Sequence, residues 1–515
     1  MTPLSSVPVE MQELDTFTST APGSACGAGT SCTSTPARVK ITCFMATLES
    51  PLSLAAYRAR YRTAVEVCLA GDLTISVTAM QRFPRVLFVT PVAFNPFTGG
   101  GATFTSLFTG WPKDCLATIH NDPDPVTNDI CGNYYALRSE ELDFIEPFGW
   151  LRRRRRSAPQ AAAAVADEAP PSPAGMIDKV RNYLLRDSIP ERSRLTPELH
   201  RWISDFRPDV IYTILGSNGM MALIENIRST FHLPLVVHIM DDWSMSAHRS
   251  GVFAPLERFR MNRWLTHFFK VAETCLGISP AMQLAYSKRY GRPFQAIQFT
   301  LDTERWAGSA KRDLVSSQAP EFLYVGSIFA DAQLNSLVDC AKAIAELNGE
   351  GFHSTLRVVT QARNIARYRH LLDLHPAVKL EPSQFDEPAF FAMLRRADAL
   401  LLPVNFDSHS VSLMRYSMPT KVPSYLVSGT PCLVYGSPET AQVQYARDAG
   451  WGHVIAERSL PALKAALRRI VEDMPLRQAL SAAARKASVN HDEKRVRPVF
   501  QNVLRQASDA HSTRR

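Results

Sequence analysis

The chain has 515 residues and 57 Lys and Arg against 49 Asp and Glu, a formal charge of +8, with an isoelectric point near 9.0. Apolar residues make up 45% and charged residues 21%, which excludes wholesale disorder and predicts a globular protein of several domains. No apolar run approaches the roughly 18–20 residues of a membrane span.

Nine cysteines are scattered without CxxC spacing, which reads as reduced thiols rather than a disulfide framework. The first residues, MTPLSSVPVEMQELD, lack the basic-then-apolar order of a secretory signal, so the expected setting is cytoplasmic. Residues 1–80 read as a disordered or non-core extension, because Ser, Thr, Ala, Gly and Pro dominate the first forty. A helix is expected over Ala55–Leu69, and Met80 is a candidate start of translation.

From Arg85 onward, apolar runs of strand length alternate with helical stretches. The strands expected first are 85–90, 116–120, 210–215, 234–240 and 274–279, with a long helix over Pro255–Ala272. Near-continuous apolar strands predict a parallel sheet covered by helices on both faces. This N-terminal domain, 81–302, is interrupted near 151–176 by an Arg/Ala/Pro-rich loop that opens with Arg152–Arg156. The Arg run is a solvated loop or a peripheral contact with an anionic membrane; no motif around it suggests nucleic acid.

A polar linker is expected over 303–320 and a second unit over 321–487, with strands at 321–326, 355–360, 377–381, 398–403, 430–436 and 452–457. A C-terminal helix with a polar tail, 488–515, is expected to start or kink near Pro498. The fold class is therefore α/β: two tandem Rossmann-like, doubly wound parallel-sheet domains facing across a cleft, where ligands sit beyond the strand C-termini.

Three places along the chain carry residue types suited to chemistry there. Gly99, Gly100 and Gly101 link the first strand to a helix, and read as a tight turn or as a phosphate or sugar contact. The HIMDDW strand end brings His238, Asp241, Asp242 and Trp243 to the cleft mouth. His238 is a core residue or a site residue. One aspartate caps the next helix, and the other accepts a sugar hydroxyl bond or assists deprotonation. In the second domain Thr420 and Lys421 open a short helix, and Lys421 with that helix end makes an anion site suited to a leaving diphosphate. The alternative for Lys421 is an ordinary surface lysine. Asp122 and Asp124 read as part of a Pro-rich turn rather than a metal site.

Taken in order, PFTGGG, HIMDDW, GISPAM, YVGSIFAD and PTKVPSYLVSGTP resemble the retaining glycosyltransferases of family 4, the group 1 transferases with the GT-B fold. The resemblance implies transfer of a sugar from a nucleotide-diphosphate sugar to a glycan or lipid-linked acceptor, as in surface polysaccharide or glycoconjugate synthesis. It implies no metal and no cofactor beyond the donor. In that picture His238 holds the donor sugar through its backbone carbonyl or ring and Asp242 is the acceptor-side base. With Lys421 they are the expected catalytic residues, and donor contacts are expected from Gly99–Gly101, Ser327, Tyr416, Thr420, Lys421 and Ser424. Acceptor contacts would come from Asp241 and Trp243.

The chain departs from that family where two glutamates are expected, since Tyr416 and Ser424 stand in their places. It also lacks the Arg and Lys after the first strand of the second domain, where it reads VGSIFADAQLNS. Lys421 is the replacement expected for those bases. A catalytically weakened homologue acting as a partner subunit and a nucleotide-sugar epimerase are the competing readings.

Overall fold

The structure, a computed structural model, describes residues 82–95, 99–122, 125–150, 188–308, 310–383 and 386–513. The chain from Met80 onward forms one compact unit. The helix expected over 55–69, the Arg152–Arg156 run and Asp124 lie outside the described residues.

A first sheet of seven strands has the order β3-β2-β1-β6-β7-β8-β9. Its strands are β1 (Val86–Thr90), β2 (Leu116–His120), β3 (Asn133–Ala136), β6 (Val210–Thr213), β7 (Leu235–Ile239), β8 (Thr274–Gly277) and β9 (Phe294–Ala296). All neighbours pair in parallel. Strands β1, β2, β6 and β7 are buried along their whole length, which is why they are readable as continuous apolar runs. The edge strands β3 and β9 are short and partly exposed, so they carry no such run. A small antiparallel pair joins β4 (Leu142–Phe144) to β5 (Glu191–Ser193).

The second sheet has the order β12-β11-β10-β13-β14-β15, again all parallel. Its strands are β10 (Glu321–Val325), β11 (Thr355–Thr360), β12 (Val378–Pro382), β13 (Ala399–Pro403), β14 (Cys432–Tyr435) and β15 (Gly452–Ile455). Strand order reverses between β1 and β6 in the first sheet and between β10 and β13 in the second. Doubly wound sheets bind ligands beyond the strand C-termini at such reversals.

Two local expectations change. Residues 303–320 are not wholly irregular: Thr303–Ala307 is a helix capped by Asp302, and its Trp306 ring stacks 3.9 Å from Phe391. A single turn is too short to show a helical period. The last helix, Glu493–Ser512, begins five residues before Pro498 and runs through it. So close to the helix start, the missing N–H costs a single bond.

That last helix lies on the N-terminal domain. The Phe500 ring is 5.0 Å from Phe108, and Arg497 Nε donates to the Ser106 carbonyl at 3.0 Å. Just ahead of it, Leu301 and Asp492 form a parallel bridge. The final helical segment of the chain therefore closes the apolar face of the first sheet.

Candidate functional site

The seam between the two sheets gathers the loops after β1, β7, β10 and β13. The helix Gly99–Phe108 follows β1 after residues 91–98, and a Cβ on Gly99 would sit 3.6 Å from Thr420 Oγ1. Thr420 is the N-cap of the helix Lys421–Ser428, and its side chain makes no capping bond. Two helix N-termini, one from each domain, thus approach each other. The partial positive charge of helix N-termini favours an anion between them. Gly101 is fixed by packing, since a Cβ there would fall 2.5 Å from the Asn95 side chain.

Lys421 adds a titratable cation to this place. Its Nζ stands 4.0 Å from the centroid of the Tyr324 ring, and a Cβ on Gly326 would lie 2.8 Å from it. Gly326 has φ +129°, so the turn after β10 demands glycine for its backbone as well as for the lysine above it. Burial pulls the Lys421 ammonium down to about 7, and no carboxylate among the described residues acts against that shift. A lysine desolvated over an aromatic face without a counter-ion is poised to receive an anionic ligand. The cation thus sits beside the β10 turn although its own residue follows β13.

The loop after β10 is braced from behind. Tyr324 OH donates to the Ser327 carbonyl at 2.7 Å, and the Gln333 amide donates to the same oxygen. Asn405, fully buried after β13, donates to the Ala330 carbonyl at 2.7 Å and accepts from Ser336 N at 3.2 Å. Ser327 therefore presents its half-buried hydroxyl from a loop whose backbone is held in place.

On the N-terminal side, Asp241 follows β7 and keeps solvent contact. Ser417 of the second domain donates to its carboxylate at 2.5 Å. The surrounding protein and the neighbouring Asp242 raise the Asp241 carboxyl above its ordinary range, while the Ser417 bond works the other way. Trp243 opens the short helix Trp243–Ser246 and packs half-buried against the core.

Two expectations from the same strand end are corrected. The His238 ring is fully buried, with Nδ1 2.7 Å from Tyr212 OH and Nε2 3.2 Å from the Ile297 carbonyl. Burial holds it neutral by pulling its pKa down to about 3, so the ring is a core group and not a cleft group. Asp242 is 1% exposed, accepts from Tyr286 OH at 2.7 Å and pairs with Arg289 at 3.3 Å. A carboxylate so committed does not serve as an acceptor-side base.

Tyr416 and Ser424 do not form a pair aimed at one ligand. The Tyr416 carbonyl accepts from Ser279 Oγ at 2.7 Å and its ring lies edge-on to Tyr286 at 6.4 Å, both on the N-terminal domain. Ser424 is buried in its helix, 7% exposed. Arg415 pairs with Glu439 at 2.8 Å, which leaves Lys421 as the uncommitted base of this segment.

Further seam contacts have no sequence signal, because they join residues more than 130 positions apart. They are Ser417 with Asp241, Ser279 with Tyr416, and Arg249 with His409 at 2.8 Å and Ser412 at 2.9 Å. Among the described residues no group of three His, Cys, Asp or Glu side chains is placed to hold a metal ion. No described helix is long and apolar enough to cross a membrane.

No family model matches the sequence, and no curated protein does. Solved structures do match. The α,α-trehalose 6-phosphate synthase of Burkholderia multivorans aligns with TM-score 0.53 and 13% identity over 84% of this chain and 99% of its own. The sucrose-phosphate synthase of Thermosynechococcus elongatus aligns with TM-score 0.53 and 12% identity over 83% and 100%. An E. coli structure described as bound with UDP-2-fluoro glucose aligns with TM-score 0.50 and 12% identity over 82% and 99%. At such identities the likeness is one of fold.

Proposed function

We propose that this chain, which has the two-domain GT-B fold of glycosyltransferases, transfers a sugar from a nucleotide-diphosphate sugar to a glycan or lipid-linked acceptor. The observation that carries the reading is the placement of Lys421, uncompensated over Tyr324 and against Gly326, where two helix N-termini converge. A leaving diphosphate gains negative charge as the anomeric C–O bond breaks, and preorganised cationic donors lower that barrier. The E. coli neighbour described as bound with UDP-2-fluoro glucose supports a nucleotide-sugar donor.

In this reading Gly99–Gly101, Thr420, Lys421 and the Ser327 loop hold the donor diphosphate. Asp241, with Trp243 beside it, meets the acceptor hydroxyl from the N-terminal domain. Transfer proceeds with retention of configuration, and the charge on the diphosphate is met by protein groups without a metal. The setting is cytoplasmic, in assembly of a surface polysaccharide or glycoconjugate.

Calorimetric titration with UDP, GDP, ADP, dTDP and their sugar conjugates tests the donor site, followed by turnover with a panel of acceptors. Saturable binding of one nucleotide series is expected. A folded protein that binds none of them overturns the reading.

One observation favours a second reading, a weakened homologue that binds without turning over. Neither Tyr416 nor Ser424 offers a carboxylate; one packs on the other domain and the other is buried. Donor binding without turnover on any acceptor would select it.

A further inference from the structure

The second sheet ends in two edge strands, and they differ. β12 carries exposed Lys379 and Pro382, residue types that keep further strands from pairing. β15 has neither, and among the described residues it pairs only with β14. The Ile455 carbonyl accepts from Gly436 N at 3.1 Å, so the backbone groups of Ile455 face β14. By the alternation along a strand, those of Val454 and Ala456 face the open edge.

A groove runs beside that edge, between β15 and the helix Leu460–Glu472. Its helical wall is Ala462, Ala465 and Ala466, small enough for a second chain to come close. His453, Glu457 and Arg469 line the same groove. Arg469 is 62% exposed and pairs with Asp473 at 3.3 Å. Glu457 is exposed, and its carboxylate meets no cation among the described residues.

We propose that this edge joins two copies of the chain, β15 against β15 in antiparallel pairing about a twofold axis at Ile455. Val454 of each copy then exchanges backbone hydrogen bonds with Ala456 of the other. The same axis sets Glu457 of each copy opposite His453 of the other, on the side where Arg469 lies. A twofold contact must be self-complementary, and an anion on one side of the axis with a cation on the other meets that condition. An unrelated peptide would gain the edge hydrogen bonds without this charge match. Association is independent of sugar transfer and is measured without nucleotide or acceptor.

Sedimentation velocity of the full-length chain across the micromolar range tests this, and a reversible dimer is expected. Ala456→Pro removes an edge N–H from each copy and should weaken the dimer about tenfold. Glu457→Arg and Arg469→Glu should each weaken it about tenfold or more, because each sets like charges together on both sides of the axis. Mixing those two charge variants should restore a dimer, with circular dichroism showing every variant folded.

A wild-type chain that stays monomeric throughout that range overturns the proposal. A dimer that all three variants leave intact also overturns it, since the contact then lies on another face. Charge variants that dissociate alone and stay apart when mixed overturn the pairing of Glu457 with Arg469.

Discussion

Lys421 Nζ stands 4.0 Å above the Tyr324 ring, so a charge carried on the helix after β13 is delivered to the turn after β10. The aromatic face offsets part of the cost of desolvating the ammonium, and a bound diphosphate would offset the rest. Lys421→Ala should therefore lower kcat about 100- to 1000-fold, the usual cost of losing one preorganised donor at a developing charge. Steady-state kinetics with the donor identified by titration checks this; an unchanged kcat removes Lys421 from the site.

The same lysine sets a pH dependence. Its pKa is pulled down to about 7 by burial, so the free protein carries the charge below that value and loses it above. Nucleoside-diphosphate affinity should weaken as pH rises through about 7, and this dependence should vanish in Lys421→Ala. Calorimetry from mildly acidic to mildly basic pH reads it directly.

Gly326→Ala probes the turn beneath the lysine. Its φ of +129° strains any side chain, and the new Cβ would sit 2.8 Å from Lys421 Nζ. A loss of about 1–3 kcal/mol in unfolding free energy is expected, with weakened diphosphate binding as the ammonium is displaced. Urea unfolding and titration of the same preparation separate the two effects.

Ser417 and Asp241 form a hydrogen bond across the seam that favours the ionised carboxylate against the surrounding protein and Asp242. Ser417→Ala should raise the Asp241 pKa further. If Asp241 acts as the acceptor-side base, the acidic limb of the kcat/KM profile moves to higher pH while the basic limb stays in place.

His238 should report on stability and not on transfer. His238→Leu leaves the buried Tyr212 hydroxyl and the Ile297 carbonyl without a partner, at a cost of about 1–3 kcal/mol each, with donor binding retained. The wild-type ring is held neutral with a pKa of about 3 against an ordinary 6.5. The unfolded chain therefore binds the extra proton first, and stability falls as pH drops from 6.5 toward 3. That part of the slope should be missing in the variant when unfolding is followed across this range.

Much of the fold was legible in the order of residues, because buried parallel strands such as VLFVT, LVVHI and ALLLP must be apolar on both faces. Pro423 within the Lys421–Ser428 helix marked a local start that depends only on backbone chemistry. Gly99–Gly101, read as a link or tight turn between the first strand and a helix, are instead the first three residues of the helix Gly99–Phe108. The strands NYYA and FQA were not legible, since short edge strands need no apolar run.

Sequence alone also determined that an acidic strand end and a lysine-led helix lie at the C-terminal sides of two such sheets, because strand direction follows from the alternation of strands and helices. It could not decide which member of HIMDDW reaches the seam. His238 is taken by Tyr212, Asp242 by Arg289 and Tyr286, and Asp241 is left facing the second domain. Those partners come from elements 26 to 176 residues away, so the choice rests on how the sheets and their helices pack. Local pattern carries burial and direction; the pairing of one buried polar group with another belongs to the tertiary fold.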